Sequence, residues 1–161
     1  PEVRHQLVRP GVGLYGIDPA EAGVELKEAM TLRARVITTR VVPKGEGVSY
    51  NHTWQAQRDT STAVVALGYA DGLPRSVSGT MQVTINGRAY PQIGRVCMDQ
   101  IVVDLGENPH GVDTGQDAVI FGNGGVSATD LAAAAGTINY EVVCLPDGRT
   151  EREYIGEEDA Q

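Results

Sequence analysis

The chain has 161 residues and a formal net charge of −8, with 41% hydrophobic and 21% charged residues. These values are typical of one globular domain, and the acidic balance argues against a nucleic-acid-binding surface, which needs an excess of Lys and Arg. No apolar segment is long enough to span a bilayer, so we expect no membrane partner.

Two cysteines, Cys97 and Cys144, lie far apart and lack the spacing of a metal site or a disulfide framework. We therefore expect reduced thiols, a cytoplasmic protein and no metal ion. The first residue is proline, which is not a natural start, so we also expect the chain to be part of a longer protein.

The first thirty residues predict little regular structure. Residues 8–16 are apolar and glycine-rich, which predicts a strand running into a tight loop. Residues 20–30 could form a short helix, but Gly23 and Val24 weaken that prediction. We interpret the stretch as a linker into the main domain.

From residue 32 the pattern predicts β-structure. Residues 32–42 are rich in β-branched side chains, and residues 62–69 are apolar enough for a strand buried on both faces. An Asn-Gly pair then separates residues 81–85 from residues 88–93. This pair is the strongest short signal for a β-hairpin, because both central residues of a type I′ turn need positive φ.

One main helix is predicted after residue 126. Ser127 can cap its first turn, Asp130 suits that turn, and Gly136 can end the helix. Three more segments predict strands, namely residues 96–105, 118–121 and 141–145. Six to eight short strands with one main helix predict a mainly β fold, an antiparallel Greek-key-like β-barrel.

Three tyrosines follow turns or element ends, positions from which a phenol can reach a site. Tyr50 follows a glycine-rich turn, Tyr69 ends a predicted strand, and Tyr140 lies just past the helix. Each tyrosine alone is explained more simply as a half-buried residue with a bonded hydroxyl.

Cys97, Met98 and Asp99 are consecutive. A nucleophilic cysteine needs a nearby base, and no histidine is placed beside Cys97 in sequence, so a buried structural cysteine is favoured. Asp99 could lie in a turn or orient a partner. Arg9 precedes a Pro-Gly pair that either brings backbone N–H groups near a phosphate or forms an ordinary loop.

Five short segments together carry a family resemblance. They are RPGVGLYG from Arg9, GVSYNHTW from Gly47, GYADGLPR from Gly68, GRVCMDQ from Gly94 and TINYE from Thr137. With a closing RTEREY, they resemble the alanine racemases over residues 7–154. No single segment is specific for this family, but the order and spacing of all of them together are specific.

The resemblance implies a subunit of two parts. An N-terminal (β/α)₈ barrel would bind pyridoxal 5′-phosphate (PLP) through a lysine, and the C-terminal β domain would be this chain. Residues 1–20 would be a remnant of the last barrel strand with a linker, and residues 21–161 the β domain with an acidic tail. The only lysines, Lys27 and Lys44, lie outside the family's lysine motif and are expected at the surface.

The resemblance also implies a site shared between two subunits paired head to tail in a homodimer. Tyr50 corresponds to the catalytic tyrosine that exchanges the Cα proton of alanine on one face. Met98 corresponds to the residue whose backbone N–H holds the substrate carboxylate. Three residues correspond to positions that line or support the entrance of the site: Tyr69, Cys97 and Asp99. Four residues correspond to contacts with PLP: Arg9, Gly11, Val12 and Tyr140. Tyr140 also corresponds to a residue that narrows the entrance.

Two other functions remain open at this stage. A related barrel-type PLP decarboxylase has a similar C-terminal fold, but VSY, GYADG and CMDQ favour the racemase. A non-catalytic dimerisation module would not need these motifs. An upstream barrel with a PLP lysine would distinguish an enzyme from a module.

One residue beside the candidate catalytic tyrosine departs from the family pattern. Asn51 stands where the family often has a glycine after its tyrosine.

Overall fold

A computed structural model describes residues 7–20 and 22–156. The first six residues of the predicted barrel remnant, residue 21 and the last five residues of the predicted acidic tail lie outside the described residues. The strands are β1 (Leu32–Val42), β2 (Gly47–Val48), β3 (Trp54–Gln55), β4 (Thr60–Val65), β5 (Gln82–Ile85), β6 (Arg88–Ile93), β7 (Ile101–Gly106) and β8 (Asp117–Phe121). The helices are α1 (Ala128–Ala135) and α2 (Asn139–Val142).

Six of these strands close into a barrel in the order β1-β4-β7-β6-β5-β8, with β8 returning to β1. All the pairings are antiparallel. The eleven residues of β1 make closure possible, because the first part of the strand pairs with β8 and the second with β4. Strands distant in sequence, such as β4 and β7, are neighbours, and the predicted Greek-key-like β-barrel is confirmed.

The barrel interior is the main hydrophobic core. Alternate strand residues point inward, and side chains such as Val83, Val103 and Ile120 are fully buried. A second, smaller cluster lies outside this core and includes Val42, Val48 and Ile93. Burying one such aliphatic side chain contributes about 1.5–3 kcal/mol, so both clusters hold the strands around them firmly.

We expect the isolated chain to unfold in one cooperative transition and to give a β-dominated circular dichroism spectrum. A closed barrel leaves none of its six strands with an unpaired edge, and its core is continuous. Urea titration followed by circular dichroism and by fluorescence of Trp54, the single tryptophan, should give one midpoint. A disordered-chain spectrum at neutral pH, or two separate midpoints, would contradict this expectation.

The predicted hairpin and main helix are both present. Asn86 and Gly87 have φ of 51° and 72° and connect β5 to β6. Helix α1 begins with a capping box, because the Ser127 hydroxyl accepts from the Asp130 N–H at 3.1 Å and Asp130 accepts from the Ser127 N–H. Gly136, with φ 73°, ends the helix.

Two predicted strands are wrong. Residues 141–145 contribute to the short helix α2 and the turn after it, with Val142 fully buried. A short apolar run does not distinguish a buried strand from a buried helical turn. Residues 8–16 contain a 3₁₀-helix, Gly11–Tyr15, with positive φ at its first residue, Gly11, and at Gly16 directly after it. Such angles are incompatible with an extended strand.

Two other strands are shorter than predicted, and both differences lie near the candidate site. The strand expected over residues 62–69 ends at Val65, and the chain then enters a 3₁₀-helix, Tyr69–Asp71. The strand expected over residues 96–105 begins only at Ile101. The short helix considered for residues 20–30 does not form within residues 22–30, all of which are described. Among the described residues, no helix has the length and apolarity to cross a membrane.

Candidate active site

Tyr50 lies at the tip of a small hairpin formed by β2 and β3. Val48 pairs with Trp54 in the register of this hairpin, and both pack on the second hydrophobic cluster. The buried Val48 anchors the hairpin to the barrel, whereas the Tyr50 side chain is 68% exposed. The barrel therefore presents a tyrosine to the outside from a fixed base.

The backbone around Tyr50 is strained. Ser49 has φ 59° and ψ −175°, a region occupied almost only by glycine, and both Asn51 and His52 have positive φ. The Ser49 Oγ is buried with no hydrogen-bond partner in the described structure. Strain of this kind persists where the surrounding packing holds the backbone in place, and it is frequent at functional sites.

Gly94 is the neighbour that confines Ser49. A Cβ on Gly94 would lie 2.9 Å from the Ser49 Oγ and 3.1 Å from the Val48 carbonyl oxygen, and Gly94 itself has φ 68°. The buried amide of Gln92 donates to the Gly94 carbonyl at 3.0 Å and so fixes this turn. The turn before Met98 thus supports the loop that carries Tyr50.

The loop containing Met98 packs directly on the turn containing Tyr69. The Tyr69 N–H donates to the Cys97 carbonyl and the Ala70 N–H to the Met98 carbonyl, both at 3.0 Å. Gly68 is required here, because a Cβ would overlap both of these carbonyl oxygens. The Met98 N–H donates to no acceptor within the described part of the chain, and its side chain is 51% exposed.

One arginine joins these two loops. Arg149 contacts Asp99 at 2.7 Å and Asp71 at 2.9 Å. Asp71 in turn accepts from the Gly68 N–H at 2.8 Å. The hydrogen bond to Asp99 and the negative charge of Asp71 hold the pKa of the Arg149 guanidinium above its ordinary value.

Cys97 is buried, and its thiol donates to the Arg95 carbonyl at 3.5 Å. This agrees with the structural cysteine favoured from the sequence. The other predicted tyrosines are open, Tyr69 being 42% and Tyr140 47% exposed. Tyr140 lies on α2, whose first residue, Asn139, donates to the Thr129 hydroxyl of α1 at 3.1 Å.

Arg9, Gly11 and Val12 lie at the start of the 3₁₀-helix Gly11–Tyr15. Within residues 7–20 and 22–156, Arg9 makes no ion pair, and the N–H groups of Gly11 and Val12 donate to no acceptor. Val12 is buried, and Tyr15 packs against the barrel core. No hydrogen bond between described residues links this segment to the loops of Tyr50 or Met98.

Contacts at Gly94 and Gly68 therefore link the loops of Tyr50, Tyr69 and Met98, and we call the exposed part of these loops the Tyr50–Met98 surface. The described residues contain no group of acidic, histidine or cysteine side chains able to hold a metal ion. The surface presents the exposed Tyr50 side chain and the Met98 N–H, which donates to no acceptor among the described residues. These are groups for moving a proton and for binding an anion.

Several known proteins are similar to this chain over nearly its whole length. The model of the family described as "Alanine racemase, C-terminal domain" matches residues 29–154. The alanine racemase of Corynebacterium efficiens is 53% identical over 159 residues, covering 98% of this chain. The chain belongs to the alanine racemase C-terminal domain family.

Other relatives agree with this assignment. The alanine racemase of Mycobacterium tuberculosis is 47% identical over 159 residues and 96% of this chain. The solved structure of alanine racemase from Streptomyces coelicolor matches with a TM-score of 0.86 and 41% identity, over 93% of this chain and 41% of that one. The chain spans only 43% of the length of the C. efficiens relative and 41% of that of the M. tuberculosis relative.

Sequence reasoning missed three residues that shape the alanine racemase domain at this surface. Gln92 reads as a polar strand residue, yet it is 1% exposed and fixes the Gly94 turn. Gly94 is the first residue of GRVCMDQ, and a glycine in that place was a usable signal of a close backbone approach. Arg149 is the first residue of RTEREY, and its distance in sequence from Asp71 and Asp99 hides their contact.

Proposed function

We propose that this chain is the C-terminal domain of a PLP-dependent alanine racemase that interconverts L-alanine and D-alanine. The observation that carries the proposal is the exposed Tyr50 on a strained loop, supported by the Gly94 turn that leads to the open Met98 N–H. A 53% identical relative that bears the name alanine racemase supports the choice of substrate.

Tyr50 is the proton carrier in this proposal. Racemisation needs one acid–base group on each face of Cα, since the proton leaves from one side and returns on the other. The Tyr50 hydroxyl serves one face, and a lysine from outside this chain serves the opposite face. The fixed hairpin base favours this role, because proton transfer requires the donor and acceptor atoms to be held in one geometry.

Met98 holds the substrate in this proposal. Its open backbone N–H donates to the alanine carboxylate, a charge-assisted hydrogen bond that fixes the orientation of Cα. Tyr69 narrows the entrance from the adjacent turn, while Cys97 and Asp99 support the Met98 loop from within it. These roles agree with the exposed side chains of Tyr69 and Met98 and with the buried thiol of Cys97.

The residues that correspond to the family's PLP contacts fit an anionic cofactor. Gly11 and Val12 offer two N–H groups without acceptors among the described residues, and Tyr140 offers an exposed phenol for the phosphate. Arg9, which is exposed, would contact the pyridine nitrogen of a bound cofactor. When bound, PLP supplies an electron sink for the pair left on Cα as the proton leaves.

The site is shared between two subunits in this proposal. Tyr50, Met98, Ile138 and Tyr140 are large side chains that are 47–68% exposed. Exposed tyrosine and methionine side chains are enriched at protein–protein interfaces. A head-to-tail homodimer would cover them with the partner's PLP-binding barrel. We also propose a cytoplasmic enzyme, in keeping with two cysteines that form no disulfide.

The test restores the N-terminal region and measures racemisation of L-alanine and D-alanine with added PLP. We expect turnover in both directions from the full-length protein and none from the isolated chain, since neither Lys27 nor Lys44 corresponds to the PLP lysine. Decarboxylation of an amino acid in place of racemisation would establish the related decarboxylase instead. Absence of both activities in a folded, PLP-loaded protein would favour the non-catalytic module.

A further inference from the structure

We propose that Arg149 is a positioning residue that fixes the Met98 N–H for the substrate carboxylate by bridging Asp71 and Asp99. The inference rests on the proposed function, because it assigns a partner to the carboxylate-binding loop of that site. No family correspondence assigned a role to Arg149.

The bridge joins three separate parts of the chain. Arg149 Nη1 contacts Asp99 Oδ1 at 2.7 Å, in the residue next to Met98. Arg149 Nη2 and Nε contact Asp71 Oδ1 at 2.9 and 3.1 Å. One planar guanidinium therefore holds both loops at a set separation, which a flexible ammonium group cannot do equally well.

The Asp71 end of the bridge is itself fixed. Its Oδ2 accepts from the Gly68 N–H, and the hydroxyl of Thr150 donates to its carbonyl oxygen at 3.4 Å. Gly68 lies against the Cys97 and Met98 carbonyls. The turn from Gly68 to Asp71 therefore restrains Asp99 through Arg149. The same turn also contacts the Met98 carbonyl directly.

The Asp99 half of this bridge contributes little to folding. The Arg149 and Asp99 side chains are 54% and 58% exposed, and exposed ion pairs add little to stability, whereas Asp71 is the better-buried partner at 15% exposed. Two carboxylates beside an N–H group that must bind an anion would also repel the substrate. Arg149 offsets this negative charge while it sets the loop geometry.

The test uses the full-length enzyme and two competitive inhibitors that each present half of alanine. Propionate carries the carboxylate without the amine, and ethylamine carries the amine without the carboxylate. We expect Arg149→Gln to raise both KM for alanine and Ki for propionate about tenfold, the cost of disturbing a hydrogen bond to a charged group. The Ki for ethylamine and kcat should stay near wild type.

Arg149→Lys separates geometry from charge, because it keeps the positive charge and loses the fork. We expect the propionate Ki of Arg149→Lys to rise about threefold. This is less than the rise expected for Arg149→Gln, because lysine keeps the positive charge beside the two carboxylates. Arg152→Gln removes an exposed arginine nearby and should leave all four constants unchanged. Thermal unfolding of each variant reports whether the protein remains folded.

An unchanged propionate Ki in folded Arg149→Gln would overturn the proposal, as would equal weakening of propionate and ethylamine. If Arg149→Gln does not fold, a wild-type propionate Ki in Arg149→Lys overturns it. Failure of the proposed function is a separate result, since the wild-type full-length protein would then not racemise alanine at all.

Discussion

Tyr50→Phe in the full-length enzyme should lower kcat for alanine racemisation by roughly 10²–10⁴-fold, the usual contribution of a general acid–base group. The substitution keeps the ring and removes only the hydroxyl. The hairpin should not change, because Val48 and Trp54 anchor it and the Tyr50 side chain is mostly exposed. PLP content, read from visible absorbance, should also stay at the wild-type level.

The loss should be unequal for the two enantiomers. Exchange of the Cα proton with solvent deuterium should fall much further for the enantiomer whose proton faces Tyr50, since the lysine still serves the other face. Tyr69→Phe is the matched control, and we expect it to change KM or specificity more than proton transfer. Near-normal turnover in Tyr50→Phe together with lost turnover in Tyr69→Phe would show that the two roles are reversed.

Gly72→Ala should destabilise the isolated domain by about 3 kcal/mol, a large effect for a single methyl group. Gly72 has φ 98°, and a Cβ there would overlap the carbonyl oxygen of Leu145. All the atoms that this Cβ would meet belong to the backbone of Leu145 and Pro146, so no flexible side chain can move away to make room. The free energy of unfolding from urea titration, followed by Trp54 fluorescence, measures the effect.

Gly79→Ala is the control for backbone strain alone. Gly79 has φ 75°, but a Cβ there would meet nothing within 4 Å. We expect a loss of about 1 kcal/mol for Gly79→Ala, the cost of a left-handed conformation. Equal losses in the two variants would mean that the Leu145 carbonyl does not lie against Gly72 closely enough to exclude a methyl group.

Elements that depend on local chemistry are predictable from the sequence. The Asn86-Gly87 turn needs two residues that tolerate positive φ, and the sequence places that pair between two alternating segments. The start and end of α1 follow from Ser127 and Gly136, whose effects reach only one turn. The family motifs likewise lie in continuous segments, so they could be read without a structure.

The course of residues 96–100 and of residues 139–145 depends on packing between distant parts of the chain. Both stretches have apolar side chains that suit a strand or a buried turn equally well, so periodicity does not distinguish the two. Cys97 instead donates its N–H to the Gln100 carbonyl, which closes a loop before β7 can begin. Packing against α1 then selects the helical turn of α2, through Asn139 and Thr129.

The supports of the site were also decided by the fold. Arg149 meets Asp71 and Asp99 across 78 and 50 residues of sequence, and Gly94 meets Ser49 from a different strand connection. No local preference encodes such contacts, because they exist only after the barrel closes. The strained Ser49 shows the reason most directly, since its own preference opposes a backbone conformation that the surrounding barrel imposes.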